Sequence, residues 1–533
     1  MNSAVNPWYR TAVMYEVMVR GFRDSNGDGQ GDIAGVIEKL DHFAWLGVDC
    51  LWLLPFYESP LRDNGYDISD YTKVHPDFGT ADDVARLLEE AHRRDIRVVA
   101  DLVVNHTSDQ HPWFQESRSS RTNSKADWYV WGDDPERWHE ARVIFVDTEP
   151  SNWTYDEVRG QYFWHRFFSH QPDLNFDCPE VSDAIFDVMG QWLDMGLDGF
   201  RLDAVPYLFE RDGTNGENLQ QTHDWLKQLR HRVDARFPGR VLLAEANQPP
   251  ADVVDYFGNG DECQMAFHFP VMPRMFKSLR DHQASTIVDA LIDTPEIPDG
   301  CQWGLFLRNH DELTLEMVTD AEREFMYTAY APEPGMVRNV GIGRRLFPLL
   351  EDDRRQAELL HSLLLSLPGT PVLYYGDEIG MGERLELGDR DPVRTPMQWD
   401  DSLNGGFSDA PTSSLYLPPI VEGPYGSRVR NVAESTADPD SFLNWLRALI
   451  AVRRHHPLFG VGAFEMLDAG HDSVFAHRRS NHDEAIVCAV NLGLEAAIAR
   501  IDVGETLAAS DGLINGHDGV EIPPYGWGWF TAT

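Results

Sequence analysis

The chain has 533 residues, of which 42% are hydrophobic and 11% aromatic, so it can bury a large core and is long enough for two or three domains. Its 87 acidic residues outweigh 45 basic ones, for a formal net charge of −42. Such a surface repels polyanions, which argues against nucleic acid and an anionic membrane as partners and favours a neutral ligand.

The five cysteines, Cys50, Cys178, Cys263, Cys301 and Cys488, are odd in number and scattered, without a C-x-x-C pair. That pattern argues against a disulfide framework or a thiolate zinc site. Residues 1–10 lack the positive-then-apolar pattern of a leader. The apolar run at 359–367 is broken by His361, Ser362 and Ser366 and is too short to span a bilayer. The expected location is cytoplasmic.

In chain order, 13–19 reads as a strand, 26–31 as a Gly-rich turn and 36–46 as a helix. Residues 49–54 form a continuous apolar strand, 81–93 an amphipathic helix and 97–103 the next strand. The rhythm then breaks: 106–175 is rich in Trp, Asp, Ser and His and lacks a long helix. Alternation resumes with a helix at 182–195 and strands at 198–202, 241–244, 264–268, 303–307 and 371–375. Eight β-then-α units predict an α/β fold, a (β/α)8 TIM barrel with a small domain inserted after strand 3. After a helix at 441–454, short strands at 473–479, 485–491 and 527–531 predict a C-terminal antiparallel β-sandwich domain. The expected boundaries are 1–105 and 176–457 for the barrel, 106–175 for the insert and 458–533 for the C-terminal domain. Trp527 and Trp529 share one strand face and read as core.

In such barrels the reactive groups sit at the C-terminal strand ends. The third strand runs into Asp101-Leu102-Val103-Val104-Asn105-His106, the fourth ends Phe200-Arg201-Leu202-Asp203, the fifth ends Leu243-Ala244-Glu245, and the seventh leads to Asn309-His310-Asp311-Glu312. One acidic residue at a strand end is ordinarily a cap or turn former. Four such ends converging on one mouth cost repulsion and desolvation, which a fold built only for stability avoids. Carboxylates with histidine and arginine suit glycoside cleavage: they stabilise a cationic transition state, and one of them protonates the leaving oxygen. Arg201 shares a strand face with Asp203 and supplies the charge that keeps it ionised.

The segments Asp101–His106, Gly199–Val205, Glu245 and Asn309–Glu312, with Gln171-Pro172-Asp173-Leu174-Asn175, resemble the signature regions of the α-amylase family of glycoside hydrolases. The resemblance runs through essentially the whole chain. Within that family the chain is most similar to enzymes that interconvert maltose and trehalose, through the stretch Cys301–Asp320, Ala246-Asn247-Gln248, Met265–Pro270 and Tyr374–Gly382.

The resemblance implies a retaining glucosyl-transferring isomerase that also hydrolyses some substrate to glucose. Asp203 is then the nucleophile, Glu245 the acid/base and Asp311 the carboxylate holding the sugar hydroxyls. Tyr66, His106, Arg201 and His310 line the donor pocket, Asp67 and Arg394 pair to close it, and Gln171 and Phe145 help seal it. Tyr207, Asn247 and Glu312 hold the second glucose. The alternative on the same residues is an α-glucosidase acting on maltose, sucrose or related short α-glucosides. Isomerisation adds a demand: the released glucose must turn and re-attack before water does, so the site must be sealed. The segments 106–175 and 313–349 are the expected lid. The implied partner is a small disaccharide. A homo-oligomer is left open, as is a maltokinase partner such as some relatives have.

Asp24, Asn26, Asp28 and Asp32 alternate on a Gly-rich turn and suggest a structural Ca2+ loop, although Gly35 at the twelfth position rules out an EF-hand. The resemblance implies a second Ca2+ site at Asn105 and Asp173, with Tyr207, Leu208 and Glu210 nearby. No organic cofactor is expected.

Overall fold

Eight parallel strands close into a barrel in the computed structural model, which describes residues 7–533. Residues 1–6, which begin the stretch read for a leader, lie outside the described residues. The strands are β1 (Met14–Val17), β2 (Cys50–Leu53), β3 (Arg97–Val103), β4 (Gly199–Asp203), β5 (Val241–Ala244), β6 (Met265–Phe267), β7 (Gln302–Phe306) and β8 (Thr370–Tyr374). Each pairs with its neighbours in sequence, and β8 closes on β1 with Met14 beside Val372. Val98 to Val103 are all buried, because barrel interior and outer helices cover both faces; hence the continuous apolar runs.

Local chemistry sets the helix limits. Thr80 and Asp83 form a capping box that starts the helix Ala81–His92. The helix Pro179–Met195 begins on a proline and ends at Gly196, whose φ of 123° lies where side chains are strained. The single helix expected at 36–46 is instead two, Ile33–Glu38 and Leu40–Leu46. Asp32 caps the first through the Gly35 N–H, and the Lys39 N–H turns back to Val36, so the chain kinks between them.

Between β3 and β4 lies a helix, Pro112–Ser119, and a three-stranded antiparallel sheet of Trp131–Gly132, Gln161–Trp164 and Trp153–Asp156. Trp138, Trp153 and Trp164 give it a small core of its own. Its two ends are tied together at the barrel mouth, where the Leu174 N–H donates to the Asn105 carbonyl at 2.9 Å. Beyond β7, Leu313–Thr314, Gly341–Ile342 and Val337–Arg338 form a second small sheet at the same mouth.

The C-terminal part is two antiparallel sheets, of five and three strands. Strand alternation sorts their side chains. Val474, Ala476, Val487 and Ala489 face the smaller sheet, while Phe475, Ile486, Cys488, Trp527 and Trp529 join the main core. Trp529 is fully buried and donates its indole N–H to Ser362, so the tryptophan pair is packing, as its spacing suggested.

Candidate active site

The mouth of the barrel holds a cavity of about 120 Å3 lined by Asp203, Glu245 and Asp311. Two larger cavities, of about 430 and 420 Å3, touch none of these carboxylates. Volume alone points away from the mouth, whereas the chemistry points to it.

Register brings the first two carboxylates together. Leu202 on β4 pairs with Ala244 on β5, so Asp203 and Glu245 leave their strands side by side. Neighbouring strands lie about 4.8 Å apart, close to the about 5–5.5 Å that a retaining pair spans. Ala204 follows in a left-handed conformation, φ 54°, and its N–H donates to Glu245 Oε2 at 3.0 Å. Strain at a non-glycine residue there is held by the surrounding bonds.

Arg201 lies on the same face as Asp203. Its Nη1 donates to Asp203 Oδ1, and to Asp101 Oδ1 at 3.0 Å. Asp101 also accepts from Trp52 at 3.1 Å and Tyr66 at 2.9 Å. The environments separate the carboxyls. Burial pushes Glu245 up to about 7, with the charge of Asp203 adding and that of Arg201 opposing. Burial raises Asp203 as well, against Arg201. At Asp311 burial works the same way, but His310, Arg390 and Arg394 outweigh it and hold that carboxyl well below its usual range. Carboxyls driven apart in this way are suited to different roles.

Tyr66, His106, Phe145, Arg201, Tyr207, Asn247, His310 and Glu312 all line the cavity. Burial lowers His106 to about 3, so it is a neutral ring. Tyr66 stacks on His310, centroids 5.2 Å apart. Glu312 accepts from Asn339 at 3.2 Å.

Three expected residues do not line it. Asp67 is fully buried beneath the loop, accepting from Ser59 and from the N–H groups of Arg62 and Asp63. Asn64 and Gly65, both at positive φ, turn the chain so that Asp63 faces the cavity and Asp67 folds back. The pair across the pocket is therefore Asp63 with Arg390, not Asp67 with Arg394. Arg394 lies behind, donating to Asp311 Oδ1 at 2.9 Å, and Arg390 Nη1 reaches the same oxygen at 2.9 Å. Gln171 also lies behind and holds Asp63 in place, Nε2 to Oδ2 at 2.9 Å. In the sequence Tyr66 and Asp67 stood out but Asp63 did not; which aspartate faces inward depends on the turn.

The mouth is covered from two sides. Ile144, Phe145 and Phe167 of the insert line one wall, and Thr314 and Glu316 of the segment after β7 line another. Arg142 of the insert joins them, pairing with Glu316 at 2.9 Å and Glu217 at 2.9 Å. Glu316 in turn accepts from Asn247 at 2.6 Å. The Asn339 N–H donates to Asp147 at 2.8 Å. Arg142, Asp63 and Arg390 lie outside the segments that carry the resemblance; Glu316 lies inside one of them, but nothing local marks its pairing with Arg142.

The two expected metal sites differ. In the turn 24–32 the side-chain oxygens already accept backbone N–H groups: Asp24 from Asn26, Gly27 and Gly29, Asn26 from Asp28, Asp28 from Gln30, and Asp32 from Ser25 and Gly35. These are nested turns. The oxygens that accept a single N–H keep a further lone pair, so these bonds do not exclude the expected Ca2+ loop. Among the described residues no three His, Cys, Asp or Glu side chains converge as ligands. At the second position, Asn105 Oδ1 and Asp173 Oδ2 are buried without a partner. Burial, then the charge of Glu210, raises Asp173 well above the carboxylate range. Two buried acids and an amide oxygen in need of positive charge fit a hard divalent cation.

The alpha amylase catalytic domain model matches residues 16–330 and 343–462. The chain is 59% identical to the trehalose synthase/amylase TreS of Mycolicibacterium smegmatis, over 91% of this chain and 84% of that protein. It is 51% identical to a trehalose synthase of Thermus thermophilus, over 91% of this chain and 50% of that protein. Among solved structures, the trehalulose synthase MutB of Pseudomonas mesoacidophila superposes with a TM-score of 0.82 at 28% identity, covering 98% of this chain and 99% of that one. With the signature carboxylates gathered at one mouth of a closed barrel and the family's domain matched along most of the sequence, this chain belongs to the alpha-amylase family.

Proposed function

We propose that the protein interconverts maltose and trehalose by moving a glucosyl unit from one oxygen of glucose to another, with some hydrolysis to glucose. The observation that carries this reading is the 59% identity to a trehalose synthase across 91% of the chain. The small cavity walled on two sides by separate segments supports it, since a site that keeps its leaving group must limit the access of water.

In this mechanism Asp203 attacks the anomeric carbon as Glu245 gives its proton to the departing glucosidic oxygen. A covalent glucosyl-enzyme forms and glucose is released inside the pocket. Glucose turns, Glu245 removes the proton from its anomeric hydroxyl, and that oxygen attacks the glucosyl carbon, freeing Asp203. The raised Glu245 carboxyl suits an acid that must hold its proton near neutrality. The ionised Asp311 accepts hydrogen bonds from the sugar hydroxyls as positive charge builds on the ring. Asp63 and Arg390 close the pocket behind the donor sugar and restrict it to short substrates.

Asn105, Asp173 and Glu210, with the backbone of Tyr207 and Leu208, would hold a Ca2+ that ties the insert to the barrel. Its part is structural. Five free cysteines, four of them buried, accord with a reducing, cytoplasmic setting.

Sugar analysis after incubation with maltose tests the reading. Trehalose as the main product supports it. Glucose as the only product replaces it with an α-glucosidase on the same residues.

A further inference from the structure

We propose that Glu16, at the floor of the site, is a positioning residue that pins the proton pattern of His310, so that His310 Nε2 always presents an N–H toward Asp311 and the sugar. The inference rests on the proposed glucosyl-transfer reading and adds a residue to it.

Glu16 lies on β1 and is fully buried. Its Oε1 is 2.6 Å from His310 Nδ1 and accepts the His310 backbone N–H at 3.2 Å. On the other side of the ring, His310 Nε2 is 3.2 Å from Asp311 Oδ2. A chain of carboxyl, imidazole and carboxylate thus ends on a residue that lines the cavity. The ring cannot swing: Tyr66 is stacked on it at 5.2 Å, and Trp52 meets it edge-on at 5.9 Å.

Proton counting gives the consequence. A 2.6 Å contact between Oε1 and Nδ1 needs one hydrogen between them. On Glu16 it makes a neutral acid donating to Nδ1, and the neutral ring then carries its own hydrogen on Nε2; on Nδ1 beside a Glu16 carboxylate, Nε2 is bare in a neutral ring and protonated only in an imidazolium. The first arrangement is the one proposed: Glu16 is fully buried beside Asp101 and Asp311, which favours its uncharged form, and Nε2, 3.2 Å from Asp311 Oδ2, then carries the hydrogen that this contact with a carboxylate needs. The groups around the pair favour this neutral total. Burial first, then the charges of Asp311 and Asp101 against that of Arg201, disfavours a negative Glu16; burial first, then the charges of Arg394, Arg201 and Arg390 against that of Asp311, disfavours a positive His310.

Packing alone does not account for Glu16. Its Oε2 is buried without a partner, beside two further carboxyls, a cost that a purely structural position would avoid by using an apolar side chain. That cost is borne at a point where it controls a hydrogen-bond donor to the substrate.

The experiment uses the full chain, 15N-labelled at histidine, with His310→Asn to assign the signal. In the unmodified protein His310 should remain protonated at Nε2 from pH 5 to 9 without titrating. In Glu16→Leu that invariance should be lost, and kcat/KM on an aryl α-glucoside should fall at least tenfold with the thermal midpoint held within a few degrees. Glu16→Met serves as a second apolar variant if Glu16→Leu fails to fold. A titrating His310, or a bare Nε2, in the unmodified protein would overturn the proposal, as would apolar variants that turn over within twofold of it. If the unmodified protein does not cleave the glucoside at all, the glucosyl-transfer reading fails, and the labelled-histidine result still decides the role of Glu16.

Discussion

The strand ends and the covering loops of this site are built by different rules. Asp203 and Glu245 are level because β4 and β5 are paired in a fixed register, and Arg201 shares their wall because alternate residues share a face. The cover is assembled from segments far apart in sequence, Arg142 with Glu316 and Asp147 with Asn339, joined by side chains and single hydrogen bonds. Bond-making chemistry depends on the first set. In the proposed mechanism the choice between glucose and water as acceptor depends on the second. The two should therefore fail differently when altered.

The largest effect is expected at the rigid wall. Asp203→Ala should abolish isomerisation and hydrolysis together, by about 10^4-fold or more, with the thermal unfolding profile unchanged; turnover within tenfold would remove it as nucleophile. Glu245→Gln should cost about 10^2- to 10^4-fold in kcat/KM. The unmodified enzyme should also lose kcat/KM as pH rises through about 7, because the acid must be protonated and Glu245 releases its proton there. Its acid limb should lie above the ordinary aspartate range, since Asp203 must be ionised and its pKa is raised. A rate that does not fall on the alkaline side would contradict the role of Glu245.

At the boundary between the two sets, Arg390→Ala should reduce kcat/KM on disaccharides by about 10- to 100-fold, the usual worth of a lost charged contact of about 1.5–3 kcal/mol. It should also admit longer α-glucosides; an unchanged size preference would show that the Asp63–Arg390 pair does not bound the pocket. The smallest effect is expected at the cover. Arg142→Ala should leave total maltose consumption within a few-fold while raising the glucose share of products several-fold. A constant product ratio would separate the cover from the partition.

The same contrast governs what the sequence revealed. Strand limits and the catalytic carboxylates were legible because period and register are local: β3 and β5 match their predicted spans, and Asp203, Glu245 and Asp311 share one cavity. The gate residues were not. Asp63 and Asp67 stand in one motif, and only the positive φ at Asn64 and Gly65 decides which faces inward. Arg142 and Glu316 carry no local signal, because their pairing exists only once the insert lies over the barrel. Glu16 reads as one polar residue in an apolar strand, and its meaning depends on His310, 294 positions later.

The central claim is that glucose is cut loose and re-used inside a closed site. Maltose conversion in the presence of isotope-labelled free glucose tests it directly. The account predicts trehalose that is almost free of label, with label confined to the glucose pool. Trehalose labelled in proportion to the added glucose would show that the leaving sugar exchanges with solvent, and would contradict it.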